Sequence, residues 1–374
     1  MIVAVDARNA YRPRRRGIGK TLVELYRHVA PLRPDWQFVL FHQQQTPADP
    51  LAGLPNVRPC RIDIPGDRWD LWQQLRLPWA ARRAGADVLH CPANTAPAWP
   101  GAPLLVTIHD LIPLESETPS AHDLRWGRNV AAAARKAKVI LTPSRYTAEL
   151  VHRTFGVSAD KVIVNPWAPA VACGRLEDSA RLARVRQRYA IPENLPYVLA
   201  LGGADQRKNS AGILKAWALL EESLRASHVL VMVGVEGAAL EALDQRAAQL
   251  GIEKHCRLLG FADEADMPAL ISGALVLCYP SLSEGFGLPI LDGFACGTAV
   301  LTGDGTSLPE VAGEAALQVN AREAGAIAAG LTELLTSAEK REELIRRGRR
   351  RVESFTWQAC AARLAEAIER TAAG

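Results

Sequence analysis

Several things are scarce in these 374 residues, and each scarcity narrows the choices. No apolar run approaches the roughly 18 residues needed to span a bilayer. The opening Met1-Ile2-Val3-Ala4-Val5-Asp6 has no basic stretch leading into a long apolar segment, so it reads as a first strand and not a signal peptide. The seven cysteines (60, 91, 173, 256, 278, 296 and 360) are odd in number and form no Cys-x-x-Cys pair. Neither a zinc site nor a disulfide framework is expected from them; buried thiols in a reducing cytoplasm are. There is no Asp-x-Asp motif, and no His/Asp/Glu cluster has metal-ligand spacing, so no metal cofactor is expected. Charge of one sign is not in large excess. A formal net charge of +4 permits an anionic ligand or an anionic membrane surface without demanding nucleic acid.

What is present is the composition of a globular protein, 48% hydrophobic and 22% charged, in a chain long enough for two cores. Short β-branched runs alternate with longer amphipathic segments, the mark of parallel α/β architecture. The first half offers strands at Ile2–Asp6, Gln37–Phe41, Arg61–Ile64, Val88–His90, Leu104–His109, Val139–Thr142 and Val162–Val164. Helices are expected at Gly19–Ala30, Leu71–Arg83 and Arg145–Phe155, the last capped by Ser144.

The pattern then restarts. Tyr197–Leu201, Val229–Val233, Arg257–Leu259, Leu275–Tyr279 and Ala299–Thr302 read as strands; Ala211–Leu220, Ala238–Leu250, Met267–Ser272 and Leu288–Cys296 read as helices. Val171–Pro196 carries charge and no β run, which places the linker there. The expected domains are 1–175 and 190–355, two doubly wound Rossmann-like units whose strand ends face a common cleft. The apolar stripe Trp357, Ala361, Leu364, Ile368 makes 356–374 a packing helix, expected to cross back onto the first domain. The seven basic residues of Lys340–Arg351 suit a solvated helix face better than a nucleic-acid patch.

Glu284-Gly285-Phe286-Gly287-Leu288-Pro289-Ile290-Leu291-Asp292 is the most informative segment. Pro289 suits the first turn of a helix, and Gly285 and Gly287 let backbone N–H groups come close to an anion there. Glu284, next to such a turn, would repel another anion and is suited to accepting hydrogen bonds from hydroxyls. Arg207-Lys208, following Gly202-Gly203 at the end of a strand, offers two cations for a diphosphate; an isolated Arg-Lys pair would otherwise be surface charge. His109-Asp110 closes a strand at the cleft edge and reads as a site pair, while the other histidines, with partial exception for His90, read as ordinary. Gly17-Ile18-Gly19 opens a helix but lacks the spacing of a dinucleotide fingerprint. Arg12, Arg14, Arg15 and Arg16 form either a solvated turn or a contact for an anionic acceptor such as a lipid diphosphate. Trp72 and Trp79, seven apart, are expected in the core. Trp69 and Trp99 either pack there too or stack against sugar or lipid.

Tyr279-Pro280-Ser281-Leu282-Ser283-Glu284-Gly285-Phe286-Gly287-Leu288-Pro289, continued by Phe294-Ala295-Cys296-Gly297-Thr298, resembles the signature of retaining family 4 glycosyltransferases of the GT-B fold. Asp87-Val88-Leu89-His90, Thr107-Ile108-His109-Asp110-Leu111-Ile112-Pro113, Thr142-Pro143-Ser144, Arg207-Lys208-Asn209 and Ser307-Leu308-Pro309-Glu310-Val311 extend it along nearly the whole chain. The resemblance implies a nucleotide-sugar donor, with GDP-mannose the first guess, and a glycan or lipid-linked acceptor in surface-polysaccharide synthesis. It implies that Lys208 and Arg207 neutralise the leaving diphosphate and that Glu284 holds the transferred sugar. It puts His109 near the anomeric centre, bonding a hydroxyl or steering the acceptor, with Asp110 beside it. Gly17 and Gly19 would lie where donor and acceptor meet, and Gly285, Phe286, Gly287 and Leu288 would line the donor site. The second acid, Asp292, stands where the family usually has Glu; it either reaches the ribose or serves only as a helix-dipole acid. That departure, with Asn165-Pro166-Trp167 where the family often has Asn-Gly, keeps open a non-catalytic subunit that binds a sugar nucleotide or partner. A dehydrogenase is disfavoured by the missing glycine fingerprint.

Overall fold

The structure, a computed structural model, describes residues 1–13, 15, 17–43, 49–63, 71–115, 118–170 and 174–373. Arg14, Arg16, Trp69 and Cys173 lie outside the described residues. The chain divides into two units, Met1–Trp167 with Phe355–Gly374, and Ala168–Ser354.

The first unit is a seven-stranded parallel sheet: β1 (Ile2–Asp6), β2 (Gln37–His42), β3 (Val57–Arg61), β4 (Val88–Cys91), β5 (Leu104–Thr107), β6 (Val139–Thr142) and β7 (Val162–Val164). They run in the order β3-β2-β1-β4-β5-β6-β7. The interior strands β4, β5 and β6 are buried along their whole length, which is why they read as unbroken apolar runs. β3 is different, being Val57–Arg61 instead of the expected Arg61–Ile64. It is an edge strand carrying Arg58 and Pro59 outward, so it never shows the buried run that marks the others. The helix Arg145–Phe155 starts where expected, with the Ser144 hydroxyl accepting from Thr147 N.

Trp72 is fully buried, and its ring lies under the Arg8 guanidinium, 4.4 Å from the centroid. Trp79 departs from expectation, because the chain makes a π-helical turn over Trp72–Arg76 before the α-helix Leu77–Arg83. A π turn holds more residues than an α turn, so a spacing of seven no longer returns to the same face. Trp79 is 57% exposed as a result. Trp99 is 80% exposed and is not a core residue either.

The C-terminal helix Trp357–Ala373 belongs to this unit and packs along the helix Gly17–Leu32. Its stripe buries Cys360, Ala361, Leu364, Ala365 and Ile368. Asn165 Nδ2 donates to the Cys360 carbonyl at 3.1 Å and Arg33 pairs with Glu369 at 3.0 Å, fixing its two ends.

The second unit is a six-stranded parallel sheet: β8 (Tyr197–Leu201), β9 (Val229–Val233), β10 (Cys256–Leu258), β11 (Val276–Tyr279), β12 (Ala299–Gly303) and β13 (Leu317–Val319), in the order β10-β9-β8-β11-β12-β13. Much of Val171–Pro196 is not a linker. Ser179–Arg188 is a helix of this unit; Leu176 N donates to Ser272 Oγ at 3.0 Å and Arg188 pairs with Asp266 at 2.8 Å. Only Val185 of this helix is buried, with Leu182 half-buried beside it, so its sequence carries much charge and little apolar surface. The unit therefore begins at Ala168, earlier than 190.

In each sheet the strand order reverses once, between β1 and β4 and between β8 and β11. Open α/β sheets bind ligands at the carboxyl ends of the strands flanking such a reversal. Of the described helices, none is long and apolar enough to cross a membrane.

Candidate active site

In the second unit the carboxyl ends of β8 and β11 flank the reversal, and each carries functional side chains. After β8 the chain runs through Gly202 and Gly203 into a single turn, Gln206–Lys208, that sets two cations side by side. Asp205 caps that turn, accepting from Arg207 N, and also takes Arg207 Nε at 2.8 Å. A side chain at Gly203 would press on Lys208, since an added Cβ would come within 2.9 Å of Lys208 Cγ. Asn209, with φ +58°, turns the chain into the next helix and pins it by donating to the Pro280 and Ala321 carbonyls at 3.1 and 2.7 Å.

β11 ends on Tyr279, and five residues on the chain supplies Glu284. Both are buried, and the four groups meet. Arg207 Nη1 donates to Glu284 Oε2 at 2.6 Å, and Lys208 Nζ donates to Oε1 at 2.6 Å. Tyr279 OH donates to that same Oε1 at 2.5 Å and accepts from Lys208 Nζ at 2.9 Å. Burial alone would raise the Glu284 carboxyl, but the Lys208 and Arg207 cations outweigh it and hold the group below the ordinary carboxylate range. Burial, opposed by the Glu284 charge, lowers the Lys208 ammonium. The Tyr279 phenol is pushed up by burial and then by Glu284, and so stays protonated as a donor.

The turn beyond Glu284 leads into the helix Leu288–Ala295, with Gly287 at φ +118° and Pro289 in the first turn. No side chain caps this helix. The Glu284–Phe286 backbone is clamped by the Ser307 hydroxyl, which donates to the Glu284 and Phe286 carbonyls, both at 2.8 Å. Glu284 N donates to Thr306 Oγ1 at 3.2 Å. Tyr279, Asp205, Thr306 and Ser307 were not singled out from sequence as site residues. Ser307 and Tyr279 fall inside motif segments, but only the fold brings them to Glu284. Asp292 is not part of the cluster: its Oδ1 accepts from Ala170 N at 2.8 Å, tying down the segment that enters the unit.

Four candidate residues belong to the first unit. Gly19 lies in the first turn of the helix Gly17–Leu32, and a Cβ there would sit 2.2 Å from the Asn9 carbonyl oxygen, so only glycine fits. Gly17 has open space around it. Asp110 Oδ1 accepts from Ile112 N at 3.3 Å, closing the turn after β5. His109 is buried, and its Nε2–H donates to the Pro92 carbonyl at 2.5 Å. Its ring is 5.0 Å from that of Trp167, and its Nδ1 is buried without a hydrogen-bond partner among the described residues. Burial, only partly opposed by the Pro92 carbonyl, pushes His109 down to about 4, so the ring is neutral near pH 7 and Nδ1 is an acceptor. His90, by contrast, is a core residue: Tyr26 OH lies 2.8 Å from Nδ1 and Thr107 Oγ1 2.9 Å from Nε2.

A strand reversal that carries cations, a buried acid and a helix N-terminus without a side-chain cap suits a phosphorylated ligand. The family models agree, residues 15–167 matching Glycosyltransferase Family 4 and residues 183–351 matching Glycosyl transferases group 1. The chain belongs to this family of GT-B glycosyltransferases. It is 28% identical over 362 residues to O-antigen chain mannosyltransferase B of Escherichia coli, covering 92% of this chain and 93% of that one. It is 29% identical over 315 residues to the MMP alpha-(1->4)-mannosyltransferase of Mycolicibacterium hassiacum, covering 79% and 73%. Among solved structures, Anabaena HepE in complex with UDP-glucose has the same fold, at a TM-score of 0.75 and 17% identity over 98% of this chain and 99% of that one.

Proposed function

We propose that this glycosyltransferase moves mannose from GDP-mannose, with retention of configuration, onto a glycan or lipid-linked acceptor of a surface polysaccharide. The observation that carries the reading is the Arg207–Lys208–Glu284 cluster beside the uncapped helix Leu288–Ala295. Without donor, the two cations neutralise Glu284. A pyrophosphate would draw Arg207 and Lys208 toward itself and toward the amides at Gly285–Leu288, because two negative charges compete with one for the same pair. Glu284, relieved of its cations, then accepts hydrogen bonds from sugar hydroxyls, and Tyr279 keeps it in place. His109 Nδ1, a buried acceptor, takes a hydroxyl of the sugar or acceptor. Positioning and charge stabilisation of an oxocarbenium-like state are what such groups supply. The names of the mannosyltransferase relatives support the choice of sugar, and their O-antigen member supports the polymer.

Isothermal titration with GDP, UDP and dTDP, followed by transfer assays with the matching mannose and glucose donors, tests the proposal. GDP should bind most tightly, and Lys208→Ala should weaken it by about 1.5–3 kcal/mol, the cost of one charge-assisted hydrogen bond. Glu284→Gln should abolish transfer while leaving GDP bound. Tighter binding of UDP would overturn the donor, and equal GDP affinity in Lys208→Ala would overturn the pyrophosphate site. With Arg207 and Lys208 neutralising the diphosphate, EDTA should leave transfer unchanged.

A further inference from the structure

Among the described residues, every polar atom of His109 but Nδ1 has a partner. Its backbone N–H donates to Asn94 Oδ1 at 2.6 Å, its carbonyl accepts from Thr147 Oγ1 at 3.4 Å, and its Nε2–H donates to the Pro92 carbonyl. Asn94 takes φ +64° on the loop after β4, a conformation few non-glycine residues adopt. It is tied to β5 in turn, donating its N–H to the Thr107 carbonyl at 2.9 Å. These bonds hold the backbone and one edge of the imidazole. They leave Nδ1 and the ring face to whatever stands beside them. That neighbour is Trp167, whose ring centroid lies 5.0 Å away with the planes at 50°, inside the range where aromatic pairs attract.

Trp167 is half-buried and closes the turn Asn165-Pro166-Trp167, which is clamped. Asn165 N donates to the Thr142 carbonyl at 2.7 Å, extending the pairing of β6 with β7. Asn165 Nδ2 donates to the Cys360 carbonyl at 3.1 Å, and the Cys360 thiol donates to the Pro166 carbonyl at 2.9 Å. Cys360 is fully buried in the helix Trp357–Ala373, so the returning helix fixes the turn. Pro166 stiffens it further by locking its own φ.

The indole keeps water from the His109 ring. Burial is the larger influence on that ring and holds it at about 4. Neighbouring charges do not account for this. The carboxylates on the flanking elements, Asp6, Asp110 and Glu115, would raise the ring instead. Of the cations there, Arg8 is neutralised by Asp6 and Arg145 is exposed to solvent. His90, held down to about 3, and the Cys91 and Tyr146 groups, kept protonated by burial, carry no charge near neutrality.

We propose that Trp167 is a positioning residue for glycosyl transfer: its indole holds the His109 ring against the Pro92 carbonyl and shuts out water, leaving Nδ1 a bare acceptor for a substrate hydroxyl. This rests on His109 Nδ1 receiving that hydroxyl, and it gives the returning helix a part in the site through Asn165 and Pro166.

NMR titration of the full chain with isotope-labelled histidine reads the ring without substrate, the His109 signal being the one that His109→Gln removes. In wild type it should titrate near 4. Trp167→Ala should carry the midpoint up by about one pH unit or more, toward the ordinary value of about 6.5, and Trp167→Phe should hold it close to wild type. Transfer should follow the same order. The acidic limb of kcat/KM should move up in Trp167→Ala, because a protonated Nδ1 cannot accept, and kcat should fall about tenfold or more once the ring is no longer held in place. Trp167→Phe should recover most of both. Should Trp167→Ala fail to fold, Trp167→Gln gives the same comparison with more of the bulk kept. The proposal is overturned if wild-type His109 titrates near its ordinary value, or if the variant moves neither the NMR midpoint nor the acidic limb. Undiminished transfer by His109→Gln would overturn the hydroxyl acceptor itself, whereas an unmoved His109 signal in the Trp167 variants overturns the positioning alone.

Discussion

At the scale of single residues, the chain places two charge clusters in buried surroundings, and they carry different consequences. Arg8 and Asp6, both almost fully buried, form a two-pronged pair with Nε to Oδ1 at 2.8 Å and Nη2 to Oδ2 at 2.6 Å. Removing one partner strands the other charge in the interior. Asp6→Ala should therefore cost about 3–5 kcal/mol in urea unfolding, while an exposed pair such as Arg61–Asp63 should cost under about 1 kcal/mol when broken. The Glu284 cluster adds a pH dependence. Burial works against its ionisation, Lys208 and Arg207 more than reverse that, and the folded carboxyl titrates below its unfolded value of about 4.3. Its contribution is fully present above the unfolded value and disappears as pH falls through the folded one. The stability gap between wild type and Glu284→Gln should thus narrow on acidification below about pH 4; a constant gap would mean the carboxyl is not held low. Tyr279→Phe keeps the ring and deletes the hydroxyl that Lys208 and Glu284 share, and should lower turnover without unfolding the chain. Glu284, Lys208 and Arg207 were legible in the sequence because their chemistry and loop context announce them. Tyr279, Thr306 and Ser307 were not, because their role arises only when β11 and the turn after β12 come together.

At the scale of elements, every interior strand was legible, while of the four edge strands β7 and β10 were and β3 and β13 were not. β1, β6, β7, β8 and β9 occupy the residues their patterns predict. Each but β7 lies between two neighbours, and their burial enforces an apolar run. β3 and β13 are edge strands, of which the second, three half-buried residues long, left no signal at all. The helix Ala121–Lys136 was also overlooked. It begins with a capping box, Ser120 accepting from Asp123 N at 3.1 Å while Asp123 accepts from Ser120 N at 3.0 Å, but the face it buries is made of small residues, Gly127, Val130, Ala131, Ala133 and Ala134, which mark a stripe only weakly. Caps can be measured. Ser144→Ala removes the acceptor for Thr147 N at a fully buried N-cap and should cost about 1–2 kcal/mol in urea unfolding. Substituting Ser120 at its exposed box should cost toward the lower end, about 0.5–1 kcal/mol. Equal costs at the two sites would mean burial adds nothing to capping.

At the scale of the whole molecule, the chain leaves the first unit at Trp167, builds the second, and returns at Phe355 to finish the first. The first sheet's helical layer is therefore incomplete until the last residues are made. Leu364 and Ile368 are fully buried against it, and at about 1.5–3 kcal/mol each they match a large share of a domain's usual 5–15 kcal/mol. A chain ending at Ser354 should lose the cooperative melting of the first unit, since the helix Gly17–Leu32 would expose its packing face. The second unit contains all of Ala168–Ser354, with β8–β13 and the Arg207–Lys208–Glu284 cluster, and should keep its own transition. Scanning calorimetry with GDP reads both halves of the expectation. The surviving transition should rise in temperature with nucleotide, because a ligand that binds only folded protein stabilises it by mass action. A truncated chain that still shows two cooperative transitions would mean that the returning helix contributes little. One whose single transition ignores GDP would mean that the diphosphate site needs more than the second unit supplies.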